Sequence, residues 1–287
     1  MAANLAPMPE GHVTHRIAGA LNRAFAGRVV RSTSPQGRFD EGAARFDGHV
    51  FDHAEAYGKQ MFLAAQDVDD MVNIHLGLIG KFALTPTYDL PEVGQIRWRM
   101  QTEDPPMTMD LRGATVVALR TPEEVEQIVA RLGPDPLRTD ADPEVAWARI
   151  HKSASPIGVL MMDQKIFAGV GNIYRAETLF RNRIDPFMPG KFLRRNEFEA
   201  LWDDLVELMP LGVRDGRIDT VHTDHTPEAM GRAARVDRHG GEVYVYRREA
   251  QPCLVCATPV SRVELASRNL FWCKRCQPRS RRRAVRG

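Results

Sequence analysis

Cys253-Leu-Val-Cys256 and Cys273-Lys-Arg-Cys276 hold the only four cysteines of a 287-residue chain. Two residues between cysteines let both thiolates of a tight turn face one ion, and the 16 residues from 257 to 272 suffice for a β-hairpin that brings the second pair opposite the first. The pattern is that of a closed four-cysteine site for one structural Zn(2+); disulfides and free thiols are the other readings. Four thiolates leave no open position for water or substrate, which argues against a catalytic metal. The segment between the pairs carries Arg262, Arg268 and Asn269, with Phe271 and Trp272 just before Cys273. Beyond Glu264 the chain has no acid, only Arg268, Lys274, Arg275, Arg279, Arg281, Arg282, Arg283 and Arg286. A basic, metal-pinned hairpin with aromatic support suits a phosphate backbone.

Hydrophobic residues make up 43% of the chain, enough for a large core, and the length fits two lobes plus the knuckle. The formal net charge is only +2, so affinity for a polyanion must come from clustering of charge. No apolar run approaches a membrane span, and the first residues lack the basic-then-apolar order of a secretory signal. The expectation is a cytoplasmic protein with reduced thiols, no membrane association and a monomeric state. No internal repeat is present.

Outward from the knuckle, the N-terminal end opens with seven residues that have no periodicity, then Met8-Pro9-Glu10-Gly11. Val13, Ile17, Ala20, Leu21, Ala24 and Phe25 recur at helical spacing up to Gly27, predicting an amphipathic helix of about four turns. Pro9 and Glu10 by themselves read as a helix start. From Val29 to about Thr115 short apolar runs are cut by Gly, Pro and Asp, the pattern of a β-sandwich. The runs are Arg28–Arg31, Lys59–Leu63, Met71–Ile74, Ile96–Met100 and Thr115–Leu119. Tyr57-Gly58-Lys59 would form a hairpin tip. His75-Leu-Gly-Leu78-Ile-Gly80 reads as a strand running into a Gly-bounded loop, although its apolar content also suits a core. Thr121, Pro122 and Glu124 predict a capped helix ended by Gly133.

Residues 133–142, with two prolines and three aspartates, read as an interdomain linker. Beyond it helices are predicted over 143–151, 156–164 and 197–210, opened by Asp142-Pro143, Ser155-Pro156 and Asn196-Glu197. Between them Ala168-Gly-Val-Gly171-Asn172 feeds glycines into a further helix. Such a turn either presents N–H groups to an anion or makes a tight helix–helix corner. Residues 211–240 read as a mobile loop whose His222, His225 and His239 follow no metal-ligand spacing, and Val243–Arg248 reads as a strand entering the knuckle. The domain scheme is thus 1–8 leader, 9–132 helix and sandwich, 133–142 linker, 143–240 helical, 241–277 zinc finger and 278–287 basic tail.

Taken in order, Met8-Pro-Glu-Gly-His12, the Gly58-Lys59 tip, Gly169-Val-Gly-Asn-Ile-Tyr174 and the two cysteine pairs with Ser267-Arg-Asn-Leu-Phe-Trp272 between them resemble the formamidopyrimidine-DNA glycosylase and endonuclease VIII family, from about Met8 to Gln277. Pro-Glu-Gly-His looks like the endonuclease VIII branch, whose members favour oxidised pyrimidines; the oxoguanine branch usually opens Pro-Glu-Leu-Pro-Glu. The resemblance implies an α+β chain: an N-terminal helix with β-sandwich, a helix-two-turns-helix domain and a four-cysteine zinc-finger β-hairpin, with damaged double-stranded DNA gripped in the cleft.

By the same resemblance Pro9 would be the nucleophile, its secondary amine attacking C1′ of the lesion nucleotide, expelling the base and leaving an iminium ion. That fixed positive charge acidifies the C2′ proton and drives strand cleavage by β,δ-elimination, so the protein would be a bifunctional glycosylase and apurinic-site lyase of base excision repair. Glu10 would move protons at the sugar. Lys59 would act beside it as acid or phosphate clamp, Asn172 and Arg268 would hold the phosphates flanking the flipped nucleotide, and Leu78 would fill the gap it leaves. His75, Arg112 and Gly171 complete the implied DNA contacts. Two departures stand out. Arg112 is followed by Gly113-Ala114, not by the aromatic of the oxoguanine branch. Seven residues precede Met8, and an acylated proline has no nucleophilic nitrogen. The simpler expectation is that Met8 is the true start. The alternatives are a damage-recognition protein on the same scaffold, inert because its leader blocks Pro9, and a zinc-ribbon nucleic-acid binder unrelated to repair, which leaves Pro9-Glu10 and Asn172 unexplained.

Overall fold

The computed structural model describes residues 3–4, 10–236 and 241–280. The chain divides into two compact units, Met1–Arg131 and Leu132–Gly287. Among the described residues no helix is long and apolar enough to cross a membrane.

The first unit runs β1 (Ala3–Asn4), α1 (Gly11–Phe25), β2 (Arg28–Val29), β3 (Arg31–Thr33), α2 (Asp40–Phe46), β4 (Val50–Tyr57), β5 (Gln60–Ala65), β6 (Met71–His75), β7 (Lys81–Thr85), β8 (Trp98–Thr102), β9 (Met107–Arg112), β10 (Val116–Arg120) and α3 (Pro122–Ala130). Its two five-stranded sheets have the orders β1-β7-β9-β8-β3 and β10-β6-β5-β4-β2, the expected sandwich. Between them lie Phe51, Leu63, Val72, Phe82, Trp98, Met100 and Leu111, all fully buried. Phe39 and Phe46, from a helix the sequence reading did not anticipate, meet the Trp98 ring edge-on at 5.4 and 5.7 Å. Each such pair adds about 1 kcal/mol to its burial.

Ile17, Leu21, Ala24 and Phe25 bury one face of α1, and Gly27 at φ +76° turns the chain out of the helix. Asn22 clamps α1 to the sheet: its amide donates to Ala54 O at 2.9 Å, and its oxygen accepts from Ala54 N at 2.6 Å. Because Ala54 belongs to β4, this pair of bonds ties the last turn of α1 to that strand. The capping box of α3 forms as its sequence predicts, Thr121 Oγ1 accepting from Glu124 N and the Glu124 carboxylate from Thr121 N.

The second unit comprises α4 (Pro143–His151), α5 (Ile157–Leu160), α6 (Asn172–Arg181), α7 (Arg195–Asp215), α8 (Pro227–Met230) and the hairpin β11 (Ser261–Leu265) and β12 (Arg268–Trp272). Helix α6 is buried on every side from Ile173 to Phe180, and the other elements pack around it. Several expectations need correction. The α7 N-cap is Arg194, two residues before Asn196, because the Glu197 carboxylate accepts from Arg194 N at 2.9 Å. The same helix continues past Pro210 to Gly216, whose φ of +70° ends it. Helix α5 covers only part of 156–164. Residues 133–142 are folded into this unit: Pro134, Asp135 and Pro136 are buried, Gly133 N donates to Gln164 O and Ala168 N to Pro134 O. A Cβ on Gly133 would lie 2.4 Å from Ile166 O, so the close crossing requires glycine.

Of the stretch 211–240, read as a mobile loop, residues 237–240 lie outside the described residues, and the described part is tied down instead. Arg232 donates to Glu242 at 2.6 Å and to His225 O at 2.9 Å. Residues 243–248 are not a strand. Glu177, fully buried on α6, accepts from the backbone N–H groups of Tyr244, Val245 and Tyr246 at 2.7, 2.9 and 2.8 Å and from the Thr220 hydroxyl at 2.6 Å. A carboxylate has consumed the donors that a ladder would use, which satisfies both the charge and the amides.

Candidate active site and nucleic-acid interface

In the first unit the site is built where α1 begins. Glu10 is the N-cap of α1, in extended conformation at φ −98° and ψ 173°. Its side chain makes no cap hydrogen bond to its own helix yet is only 2% exposed. A carboxylate buried at the positive end of a helix is favourably placed electrostatically and withheld from bulk water. The expectation for Pro9 falls on a residue outside the described residues.

His12, on the first turn, is also buried. Desolvation, then the charges of Arg16, His15 and Lys59, lower its pKa from 6.5 to about 3, so its ring is neutral at physiological pH.

Lys59 occupies the second central position of the β4–β5 turn, between paired Tyr57 and Gln60, with Gly58 at φ +58° before it. Glycine at that first position is what a two-residue hairpin turn needs. His75, the last residue of β6, places Nδ1 3.0 Å from Lys59 O. Since a carbonyl only accepts, this nitrogen carries the proton. Immediately beyond, the turn from β6 to β7 exposes Leu78 and Ile79, at 62% and 73%. Core packing, the alternative the sequence left open, does not hold for either. Arg112, at the end of the central strand β9, donates to Asp110 at 2.8 Å and to Val93 O at 3.1 Å.

In the second unit the turn before α6 is closed by Gln164, whose oxygen accepts from Gly169 N at 3.0 Å and whose amide donates to Val170 O at 2.9 Å. Gly169 adopts φ +88° there. Gly171 is the buried N-cap and Asn172 the first helical residue. Asn172 Nδ2 donates to Asn269 O at 3.0 Å, so the start of α6 touches the second strand of the knuckle hairpin. Arg268, beside Asn269, opens β12 and is exposed. Ala266 and Ser267, the two central residues of this hairpin, both have positive φ, 51° and 58°.

The four cysteine sulfurs lie within 4.8 Å of one another. Cys253 Sγ is 3.9 Å from Cys276 Sγ, and Cys256 Sγ is 3.4 Å from Cys273 Sγ. A tetrahedral ion with Zn–S of about 2.3 Å spaces its sulfurs about 3.8 Å apart. These spacings, far beyond an S–S bond of about 2.05 Å, fit a four-thiolate structural zinc, and no disulfide is present among the cysteines.

Sequence reasoning missed three buried groups beside these positions: His12, Arg175 and Glu177. His12 lies inside a quoted motif and Glu177 three residues past another, both on helices, where a single polar residue reads as solvated. Arg175 reads likewise as a surface base; it is fully buried because α6 is enclosed on all sides.

Three family descriptions match the chain: "Formamidopyrimidine-DNA glycosylase N-terminal domain" over residues 8–117, "Formamidopyrimidine-DNA glycosylase H2TH domain" over 132–223 and "Zinc finger found in FPG and IleRS" over 250–279. Together they define a class, the helix-two-turns-helix DNA glycosylases with a zinc-finger hairpin. The chain is 47% identical to Endonuclease 8 1 of Mycobacterium tuberculosis over 277 residues, 94% of this chain and all of that protein. It is 31% identical to a Synechococcus formamidopyrimidine-DNA glycosylase over 210 residues, 71% of this chain and 72% of that protein. A Lactococcus lactis Fpg in complex with DNA containing an abasic site shares its fold, with a TM-score of 0.74 at 20% identity over 95% of this chain and all of that one. The chain belongs to the formamidopyrimidine-DNA glycosylase and endonuclease VIII family.

Proposed function

We propose that the protein is a bifunctional DNA glycosylase and apurinic-site lyase that removes oxidised pyrimidines from double-stranded DNA in the cytoplasm, acting as a monomer. The observation that carries this reading is Glu10: a carboxylate only 2% exposed at the N-cap of α1, next in sequence to Pro9. Similarity to Endonuclease 8 1 over the full length of that protein supports the substrate class.

In this reading the neutral Pro9 nitrogen bonds to C1′ as the N-glycosidic bond breaks, and the base leaves with the electron pair and a proton. The C1′–O4′ bond then breaks to leave the iminium, Glu10 passing a proton to O4′ and taking one from C2′. Loss of the C2′ proton from the iminium expels the 3′ phosphate, and a second elimination expels the 5′ phosphate. Lys59 acts beside Glu10 as catalytic acid or phosphate clamp, Asn172 and Arg268 hold the flanking phosphates, and Gly171 and His75 contact the same DNA. Leu78 fills the vacated stack, and Arg112 lines the same DNA through its exposed edge. One structural zinc, held by Cys253, Cys256, Cys273 and Cys276, would pin the hairpin that carries Arg268.

A second reading, a damage-recognition protein whose Pro9 is acylated and inert, is favoured by one feature. Ala3 and Asn4 pair with Leu84 and Ala83 at the edge of the first sheet, which seats residues ahead of Pro9 on the fold. The two readings separate in borohydride trapping on duplex DNA carrying an abasic site, using chains that begin at Met1 and at Met8, with mass spectrometry of the crosslinked peptide. Trapping at Pro9 with the Met8 chain is the expected result. Trapping with the Met8 chain and none with the Met1 chain would favour the second reading wherever the leader is retained, and no trapping with either chain, DNA binding being intact, would overturn Pro9 as the nucleophile.

A further inference from the structure

Arg175 has no part in the reaction as described, yet it is fully buried on α6 and its contacts converge on the phosphate site. One guanidinium nitrogen, Nη2, donates to the side-chain oxygen of Asn172 and, at 3.1 Å, to Asn269 O. The other, Nη1, donates to Gly158 O at 3.2 Å, near the start of α5. Asn172 Nδ2 closes the triangle by donating to the same Asn269 carbonyl.

An asparagine amide has one accepting and one donating end, and which way it points is decided by its partners. Here both partners vote alike. The guanidinium can only donate, so it must face Oδ1; the Asn269 carbonyl can only accept, so it must face Nδ2. One of the two Nδ2 hydrogens is used on that carbonyl, and the second is left to point away from it. From this geometry we infer that Arg175 is a positioning residue: it locks the Asn172 amide with a donor toward the nucleic acid, and it fixes the backbone of Asn269, hence its neighbour Arg268, to the same helix. Without Arg175 only the Asn269 carbonyl holds the amide, and the alternative in which its oxygen turns outward to repel a phosphate becomes accessible. The inference rests on the reading of Asn172 as a phosphate donor.

The test is a double-mutant cycle on the full chain with its zinc, reading equilibrium binding to a duplex that carries an uncleavable tetrahydrofuran abasic analogue. Asn172→Ala and Arg175→Met should each weaken binding about tenfold, the value of one hydrogen bond to a charged group. The double variant should match either single variant within about twofold, because the second change removes a bond already lost. Zinc content and thermal midpoint are measured alongside. Should Arg175→Met fail to fold, Arg175→Lys keeps the charge but carries its donors on a single nitrogen, which lacks the fork that reaches Gly158 O on one side and Asn172 and Asn269 on the other, and the same weakening is expected. Asn172→Asp tests the orientation with Arg175 intact: it keeps the acceptor, loses the donor, and should bind no better than Asn172→Ala.

Losses that multiply in the double variant, or an Arg175 variant that melts early but binds normally, would overturn the inference while leaving Asn172 as a phosphate contact. Normal binding by Asn172→Ala would overturn both.

Discussion

His75 Nδ1 sits 3.0 Å from the carbonyl oxygen of Lys59, so the end of β6 supports the tip of the neighbouring hairpin from below. A two-residue turn bonded only at its flanks can rock about its last strand pair, Tyr57 and Gln60. The imidazole bond removes that freedom. His75→Ala should lower single-turnover strand cleavage about tenfold while leaving DNA affinity within about twofold, since small misplacements of a catalytic group are costly. Rapid-quench kinetics at saturating enzyme checks this; an equal loss in affinity would make His75 a DNA contact instead.

Arg268 and Arg262 share one hairpin but differ in partners. Arg262 pairs with Glu249 at 2.9 Å, whereas Arg268 lies exposed at the start of β12. If Arg268 neutralises one phosphate, Arg268→Ala should reduce the slope of log K against log salt by about 0.9. Arg262→Ala should change it far less. Titrations at several salt concentrations decide, and equal slopes for Arg268→Ala and the parent would remove it from the phosphate contacts.

The tip of that hairpin is strained. Both Ala266 and Ser267 adopt positive φ, a region that costs a non-glycine residue roughly 1 kcal/mol or more. Replacing the pair with Asn-Gly should therefore stabilise the protein by about 1 kcal/mol. Chemical denaturation reads the gain; a loss would show that the side chains at 266 and 267 contribute packing that outweighs the backbone.

His12 should make the fold sensitive to acid. Its folded pKa of about 3 lies below the 6.5 of an exposed imidazole. Between these values the unfolded chain binds the extra proton, so stability is full above pH 6.5 and falls as pH drops toward 3. The slope contributed is at most about 1.4 kcal/mol per pH unit. His12→Gln should flatten the decline of the thermal midpoint between pH 6.5 and 4.5. An unchanged decline would assign it to the carboxylates.

Much of this architecture could be read from the chain because its signals are local. The spacing of Cys253, Cys256, Cys273 and Cys276 encodes a knuckle, Thr121 with Glu124 encodes a helix start, and Gly58-Lys59 encodes a turn, each within a few residues. What escaped was written at long range. Val243–Tyr246 alternates as a strand would, but the groups that claim its amides belong to Glu177, 67 to 69 residues away. The 133–142 segment reads as a spacer, yet its prolines and Asp135 are buried against residues 164–168. In the same way Arg175 has the sequence of a solvated helix face and the surroundings of a core.

Helix α6 carries Asn172 and Arg175, both bonded to Asn269 of the hairpin, in its first turns, and Glu177, bonded to the Tyr244–Tyr246 amides, just beyond. A helix advances about 100° per residue. A single insertion between 172 and 177 would swing the Glu177 carboxylate a quarter-turn away from the Tyr244–Tyr246 amides while the hairpin bonds stayed in place. The span is therefore a fixed gauge: its residues can be exchanged one at a time, but its length cannot change without parting the knuckle's approach strap from the Asn172–Asn269 contact.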